Sequence, residues 1–144
     1  KRMLDLVSGL DDRLAAVIYR LPEDLEKDLK RLETFLKHLP PDPPAVFDFR
    51  HPSWFDDDVR QLLRSQNRVL CVSDTNELPV SQIYKTADWG YVRLRRVSYS
   101  TADLRDWISR IKDQDWKTAF VFFKHEDEGT GPRLASEFIN LSHE

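Results

Sequence analysis

FDFRHPSWF, residues 47–55, is the stretch on which the fold turns. An apolar run ends in a cation, an imidazole, a rigid proline and a tryptophan, just where helical spacing takes over at Phe55, Val59, Leu62 and Leu63. A junction that only reversed the chain would more often use Gly, Asn, Asp or Ser. A strand at 45–50, a crowded polar junction and a helix at 54–66 make one βα unit, with its chemistry gathered at the carboxyl end of the strand.

Outward from this stretch the unit recurs. LAAVIYRLP (14–22) reads as a short strand, and Leu25, Leu29, Leu32, Phe35, Leu36 and Leu39 then recur at helical spacing. A helix is therefore expected from Pro22 to Leu39, opened by the proline and by Glu23, Asp24 and Glu26 at its positive end. PPDPP (40–44) stops it. Downstream, RVLCVSD (68–74) reads as one continuous strand with a looser segment through Ala87, and WGYVRLRR (89–96) as the next strand. A helix over 101–112 capped by Thr101, a strand AFVFFKH (119–125) and a closing helix over 133–141 complete the pattern. Upstream, Leu4, Val7 and Leu10 are spaced for a helix over 3–10.

The strand midpoints lie roughly 20–30 residues apart, which predicts an α/β chain with about five parallel strands and alternating helices. A (β/α)₈ barrel averages about 31 residues per unit over about 250 residues, so five units would be a partial TIM-type barrel lacking its N-terminal strands. A doubly wound open sheet, complete with five strands, is the rival.

At 144 residues the chain is expected to be a single domain fragment, 1–144, large enough to bury a core. Charged residues at 33% and hydrophobic ones at 40% describe a folded chain rather than a disordered one. A net charge of −3 argues against a broad nucleic-acid footprint, yet leaves room for a local cationic cleft. The one cysteine, Cys71, excludes an internal disulfide and reads as a packing residue. With no visible signal peptide or membrane span, the expected location is the cytoplasm. No His-x-His or HExxH spacing points to a metal, and no cofactor is indicated.

Strand alternation places Asp48 and Arg50 on one face and Phe47 and Phe49 on the other. Likewise Tyr91, Arg93 and Arg95 oppose Val92 and Leu94. In a barrel the apolar face meets the helices, so the charged face points inward. Asp48 with Arg93 or Arg50 is either a structural ion pair or part of a site. The convergence of Arg50, His51, Asp74, Arg93, Arg95, Lys124 and His125 predicts a cationic mouth suited to phosphate or carboxylate. His51 or His125 would exchange protons near neutral pH, and Asp48 or Asp74 would orient the imidazole. EGTGP (128–132) reads as a loop and helix start, DDD (56–58) as a helix N-terminus, and Trp107 and Trp116 as core.

FDFRHPSWF, the strand-ending Asp74, YVRLRR and VFFKH follow one another in an order that resembles the YecE-like family, the domain of unknown function seventy-two. YRLPEDLEKDLKRLETFLKHLP is similar to that family's Gln-Leu-Pro strand and the helix after it, so the likeness spans almost the whole chain. The resemblance implies a TIM-type barrel of which this chain is the C-terminal part. Either a missing N-terminal segment or a second chain would then close it. Carried over, the family pocket would contain Asp48, Arg50, His51, Trp54, Asp74, Tyr91 and Arg93. Asp48 stands where the family has Glu, Arg95 where it has His and Arg96 where it has Gly. Lys124 and His125 replace paired asparagines, so the far wall is more cationic.

The resemblance gives a fold and a pocket but no reaction. The leading expectation is an anion site that hydrolyses or rearranges a phosphorylated or carboxylated small molecule. His51, Asp48 and Asp74 would be catalytic, with Arg50, Trp54, Tyr91, Arg93, Arg95, Lys124 and His125 binding the ligand. The alternative is a non-catalytic ligand-binding or protein-interaction domain. Nucleic-acid processing is a third reading, marked by binding that weakens steeply with salt.

Overall fold

Alternation in residues 45–49 buries both faces of the strand, and the neighbouring segments are built to match. The computed structural model describes residues 8–125 and 129–144. Its strands are β1 (Val17–Arg20), β2 (Ala45–Asp48), β3 (Val69–Leu70), β4 (Val72–Asp74), β5 (Trp89–Leu94) and β6 (Thr118–Phe123). Its helices are α1 (Leu29–His38), α2 (Asp57–Ser65), α3 (Thr101–Lys112) and α4 (Thr130–Ser142). The strands form two three-stranded sheets, β1-β2-β3 and β4-β5-β6, in which every pairing is parallel. The expected α/β class holds, and among the described residues the sheets do not close on themselves.

The expected continuous strand over 68–74 is instead broken at Cys71. Cys71 N–H donates to Phe47 O at 2.8 Å, while Leu70 N–H, on the other side, donates to Thr86 Oγ1 at 2.9 Å. The threonine hydroxyl takes the place of a ladder bond to β5, whose pairing begins only at Val72. The Leu70 and Cys71 amides are both satisfied in this way, at the expense of regular pairing.

Phe47 and Phe49 pack with Leu32, Leu36, Trp54 and Leu63 beneath α1 and α2. Val72, Val92 and Leu94 pack with Leu104, Trp107 and Leu134 beneath α3 and α4. Register sets Phe47 beside Leu70 and Val72 beside Val92, so the helices cover one and the same face. Val46, Val69, Cys71 and Ala87 form a smaller apolar cluster with Trp89 and Tyr91 on the opposite, helix-free face. Phe47 is fully buried against the rings of Tyr19, Phe35 and Phe49, which is worth about 2–3 kcal/mol. Gly90 is required on β5 because a Cβ there would lie 2.3 Å from the Trp116 ring.

Several boundaries differ from the sequence expectation for tertiary reasons. α1 begins at Leu29 rather than Pro22, capped by Asp28, whose carboxylate accepts from Arg31 N–H at 2.9 Å. The residues before it are captured from outside: Trp54 Nε1 donates to Leu25 O at 2.7 Å and Lys27 N–H donates to Ser53 Oγ at 2.8 Å. Pro52–Trp54 is a 3₁₀ turn, so α2 starts only at Asp57, with Asp57 and Asp58 in its first turn. Ser100, not Thr101, caps α3, through a reciprocal box with Asp103. α4 starts at Thr130, earlier than expected, after Gly129 in the left-handed region at φ 74°. Of the helix expected over 3–10, residues 3–7 lie outside the described residues and the remainder belongs to the 3₁₀ turn Ser8–Arg13.

Candidate functional site

Arg20 and Asp48 stand opposite one another in the β1–β2 register, on the helix-free face. Arg20 Nε and Arg93 Nη1 both donate to Asp48 Oδ2 at 3.0 Å. Asp48 is 1% exposed, Arg93 14% and Arg20 49% by side chain, so the Arg93 half of the triad is the desolvated one. Arg93 reaches Asp48 across β3 and β4, whose same face carries the small side chains of Cys71 and Ser73 near the strand ends. The neighbouring Tyr91 stacks on Phe122 with ring centres 4.8 Å apart, and its burial raises the phenol pKa. Burial also pushes the Cys71 thiol up to about 12, with the nearby Asp48 carboxylate adding to the shift. The expected packing role of Cys71 is what this environment allows.

Two further guanidinium groups stand beside this triad. Arg50 and Arg95 make no side-chain hydrogen bond or ion pair among the described residues. The pKa of Arg95 is lowered, first by burial and then by the charges of Arg93, Arg50 and Arg20, with Asp48 opposing. Four guanidiniums thus crowd one carboxylate. Arg50 and Arg95 border a cavity of about 810 Å³ at the carboxyl ends of β2 and β4, under the loop that follows Asp74. Ser73 Oγ, buried and without a partner, borders it too. A second cavity of about 970 Å³ runs along the open edge of β1 and α1 between Ile18, Tyr19 and Phe35. The larger one, bordered by Arg20, Asp28, Arg31 and His38 among apolar side chains, lies along an open sheet edge, whereas the smaller one holds Arg50 and Arg95 at the strand ends and is the candidate site.

Asp74 does not join the Asp48 group. Its register partner is Leu94, which places it on the helix-covered face, fully buried. Oδ1 accepts from Val80 N–H at 2.8 Å and from Arg96 Nη2 at 3.0 Å, while Oδ2 accepts from Tyr99 O–H at 2.8 Å. Arg96 Nε lies 2.7 Å from Oδ2. Burial, reinforced by the bond to Asp74, drives the Tyr99 phenol far above its usual range. His125 belongs to this second group: it donates from Nε2 to Arg96 O at 2.6 Å, and its ring lies 6.1 Å from that of Tyr99. Lys124 sits just past the end of β6, its N–H donating to Leu94 O at 3.2 Å.

The junction 50–54 proves to be two things at once. Arg50 goes to the cavity, whereas His51, Ser53 and Trp54 clamp the chain before α1. Ser53 Oγ accepts from Lys27 N–H and turns its own O–H to His51 Nδ1 at 2.8 Å, while Ser53 N–H reaches the same nitrogen at 3.3 Å. Nδ1 is therefore an acceptor and the ring proton sits on Nε2. His51 is not among the residues lining either cavity. Trp54 is 3% exposed and stacks on Phe49 at 4.7 Å, a packing anchor on the helix side. Lys27 adds ion pairs to Asp56 and Asp58, so the acidic run joins this clamp as well as the start of α2. Thr130, Gly131 and Pro132 of the EGTGP segment lie inside α4, and Glu128 lies outside the described residues.

Sequence reasoning missed Arg20 and Ser73. The signal for Arg20 was present, since Ile18 and Arg20 alternate with Tyr19 and the arginine ends its strand. Among the described residues no group of three His, Cys, Asp or Glu side chains is placed to hold a metal ion. No helix among them is long and apolar enough to cross a membrane.

Parallel strands in two three-stranded sheets, with helices packed on one face, define an α/β protein. The chain belongs to the DUF72 family, described as a protein of unknown function, whose model matches residues 1–144. It is similar in structure to a DUF72 family protein from Thermotoga maritima MSB8, at 19% identity and a TM-score of 0.80, over 99% of this chain and 65% of that one. Two structures of a DUF72 family protein from Enterococcus faecalis V583, each 14% identical, match with TM-scores of 0.75 and 0.72. They cover 98% and 96% of this chain, and 64% and 66% of the other. The chain thus spans about two thirds of the length of the solved structures it matches. No curated protein matches it significantly.

Proposed function

We propose that the strand ends carry an anion-binding site for a phosphorylated or carboxylated small molecule, set in a partial TIM-type barrel. The observation that carries it is the crowding of Arg95 by Arg93, Arg50 and Arg20, with Arg50 and Arg95 bordering a cavity and making no ion pair among the described residues. An anion there relieves the mutual repulsion, and a planar fork suits phosphate and carboxylate alike. Asp48 holds Arg20 and Arg93 in place and is neutralised by them, which makes it a positioning residue rather than a base. Asp74, with Arg96, Tyr99 and His125, fixes the loop that roofs the cavity. A single helical layer supports the barrel reading over a doubly wound sheet. So do the two open edges, where Ile18 and Phe35 at one and Phe122 at the other are exposed. In that reading the rest of a barrel, from this protein or from a second chain, covers those edges.

His51 lies outside the lining of either cavity, so the geometry favours anion binding over a hydrolytic role for its imidazole. The test of binding is thermal unfolding with inorganic phosphate. At a hundredfold excess over Kd a bound anion stabilises by about 2.7 kcal/mol. Arg95→Ala removes the response, whereas a wild-type chain indifferent to phosphate and acetate alike would sink the proposal.

A further inference from the structure

The cavity beside Arg50 and Arg95 is far larger than a bare phosphate, and its other wall is unusual. At about 810 Å³ it has room for a ligand of drug size. Phe55, Leu78 and Tyr84, exposed by 43%, 71% and 37%, all border it. Leu78 is not exposed by looseness. Its N–H donates to Thr75 Oγ1 at 3.0 Å, Thr75 N–H donates back to Leu78 O at 3.3 Å, and Asp74 anchors Val80 two residues on. The loop therefore presents an apolar side chain from a pinned turn, which is the form a binding wall takes. Tyr84 is held as firmly: the Arg60 guanidinium lies 3.6 Å over its ring, itself tied to Asp57 at 2.7 Å and Phe55 O at 2.8 Å. Arg60 Nε, buried and unpartnered, and Ser73 Oγ are further polar atoms of cavity-lining residues that still lack a bond.

We infer that the anion held at Arg50 and Arg95 carries an aromatic body, so that the ligand class is an aryl phosphate or aryl carboxylate with one acidic head. The inference rests on the anion-binding reading above. The head lies at the guanidiniums with Ser73, and the ring extends the Arg60–Tyr84 layer between Phe55 and Leu78. Glu23 and Glu77, exposed on the same lining, disfavour a ligand with a second negative charge.

The test is isothermal titration of the intact protein with inorganic phosphate, glycerol phosphate and phenyl phosphate. Phenyl phosphate is expected to bind about tenfold or more tighter than glycerol phosphate, as burial of a ring face implies. Leu78→Ser, a change at an exposed site that the fold tolerates, erases that ratio, and Arg95→Ala weakens all three ligands. Equal affinity for the two esters overturns the aromatic inference while leaving the anion site standing. An aryl preference that survives both Leu78→Ser and Tyr84→Ser overturns it too, by placing the ring elsewhere. Failure of all three probes to bind overturns the anion-binding reading itself.

Discussion

Asp48→Asn isolates the electrostatics of the arginine cluster, because it removes one charge and almost no volume. Asp48 is 1% exposed, and its strongest partner, Arg93, is 14% exposed. Breaking a buried pair by removing one charge costs about 3–5 kcal/mol, since the survivor stays desolvated. Here the survivor also faces Arg95 and Arg50 without the carboxylate between them. Arg20, 49% exposed, adds no more than a surface pair, about 0–1 kcal/mol after solvent screening. The asparagine oxygen still accepts one hydrogen bond and returns about 1 kcal/mol, so the net loss is about 3 kcal/mol. Urea unfolding is the assay: the midpoint should fall with the slope unchanged. Adding Arg93→Met should recover a large part of the loss, because the orphaned charge is then gone. A loss below about 1 kcal/mol, or no recovery in the double variant, would show that the triad is solvated and that the crowding argument is wrong. In the single variant Arg93 is freed, so phosphate should stabilise it more than it stabilises the wild type.

Two further predictions concern the supporting groups. Tyr99→Phe deletes a hydroxyl that donates to Asp74 at 2.8 Å and accepts from Arg96 N–H at 3.1 Å. The expected loss is about 2–3 kcal/mol by urea unfolding, and a change under about 0.5 kcal/mol would contradict the network. The Cys71 thiol, raised from 9.0 to about 12, should resist alkylation at pH 8 in the folded chain and react on unfolding. Its folded pKa is the higher one, so the unfolded chain loses the proton first. The stabilisation is therefore complete below pH 9 and drains away between 9 and about 12. From pH 8 to 10 this amounts to about 1.4 kcal/mol, measured as the excess alkaline loss of wild type over Cys71→Ala.

Much of the architecture is local and so could be read from the chain. The two-residue period in AVFDFR separates Asp48 and Arg50 from Phe47 and Phe49, and the same period in WGYVRLRR separates Arg93 and Arg95 from Val92 and Leu94. Both separations hold in the fold, because a strand's geometry allows only one alternation. RVLCVSD has no such alternation, being apolar on both sides. The face taken by Asp74 follows from its pairing with Leu94, some twenty residues away, and puts the carboxylate behind the sheet from Asp48. Arg20 was passed over for a like reason, its partner lying one whole βα unit downstream. The start of α1 shows tertiary structure overruling a sound local signal. Pro22 and three acidic residues favour a helix there, yet Trp54 and Ser53 take the Leu25 carbonyl and the Lys27 amide. Period, caps and punctuation are written in neighbouring residues and decide where elements form. Which polar groups meet depends on register between distant strands, set by the sum of many buried contacts rather than by any one stretch of sequence.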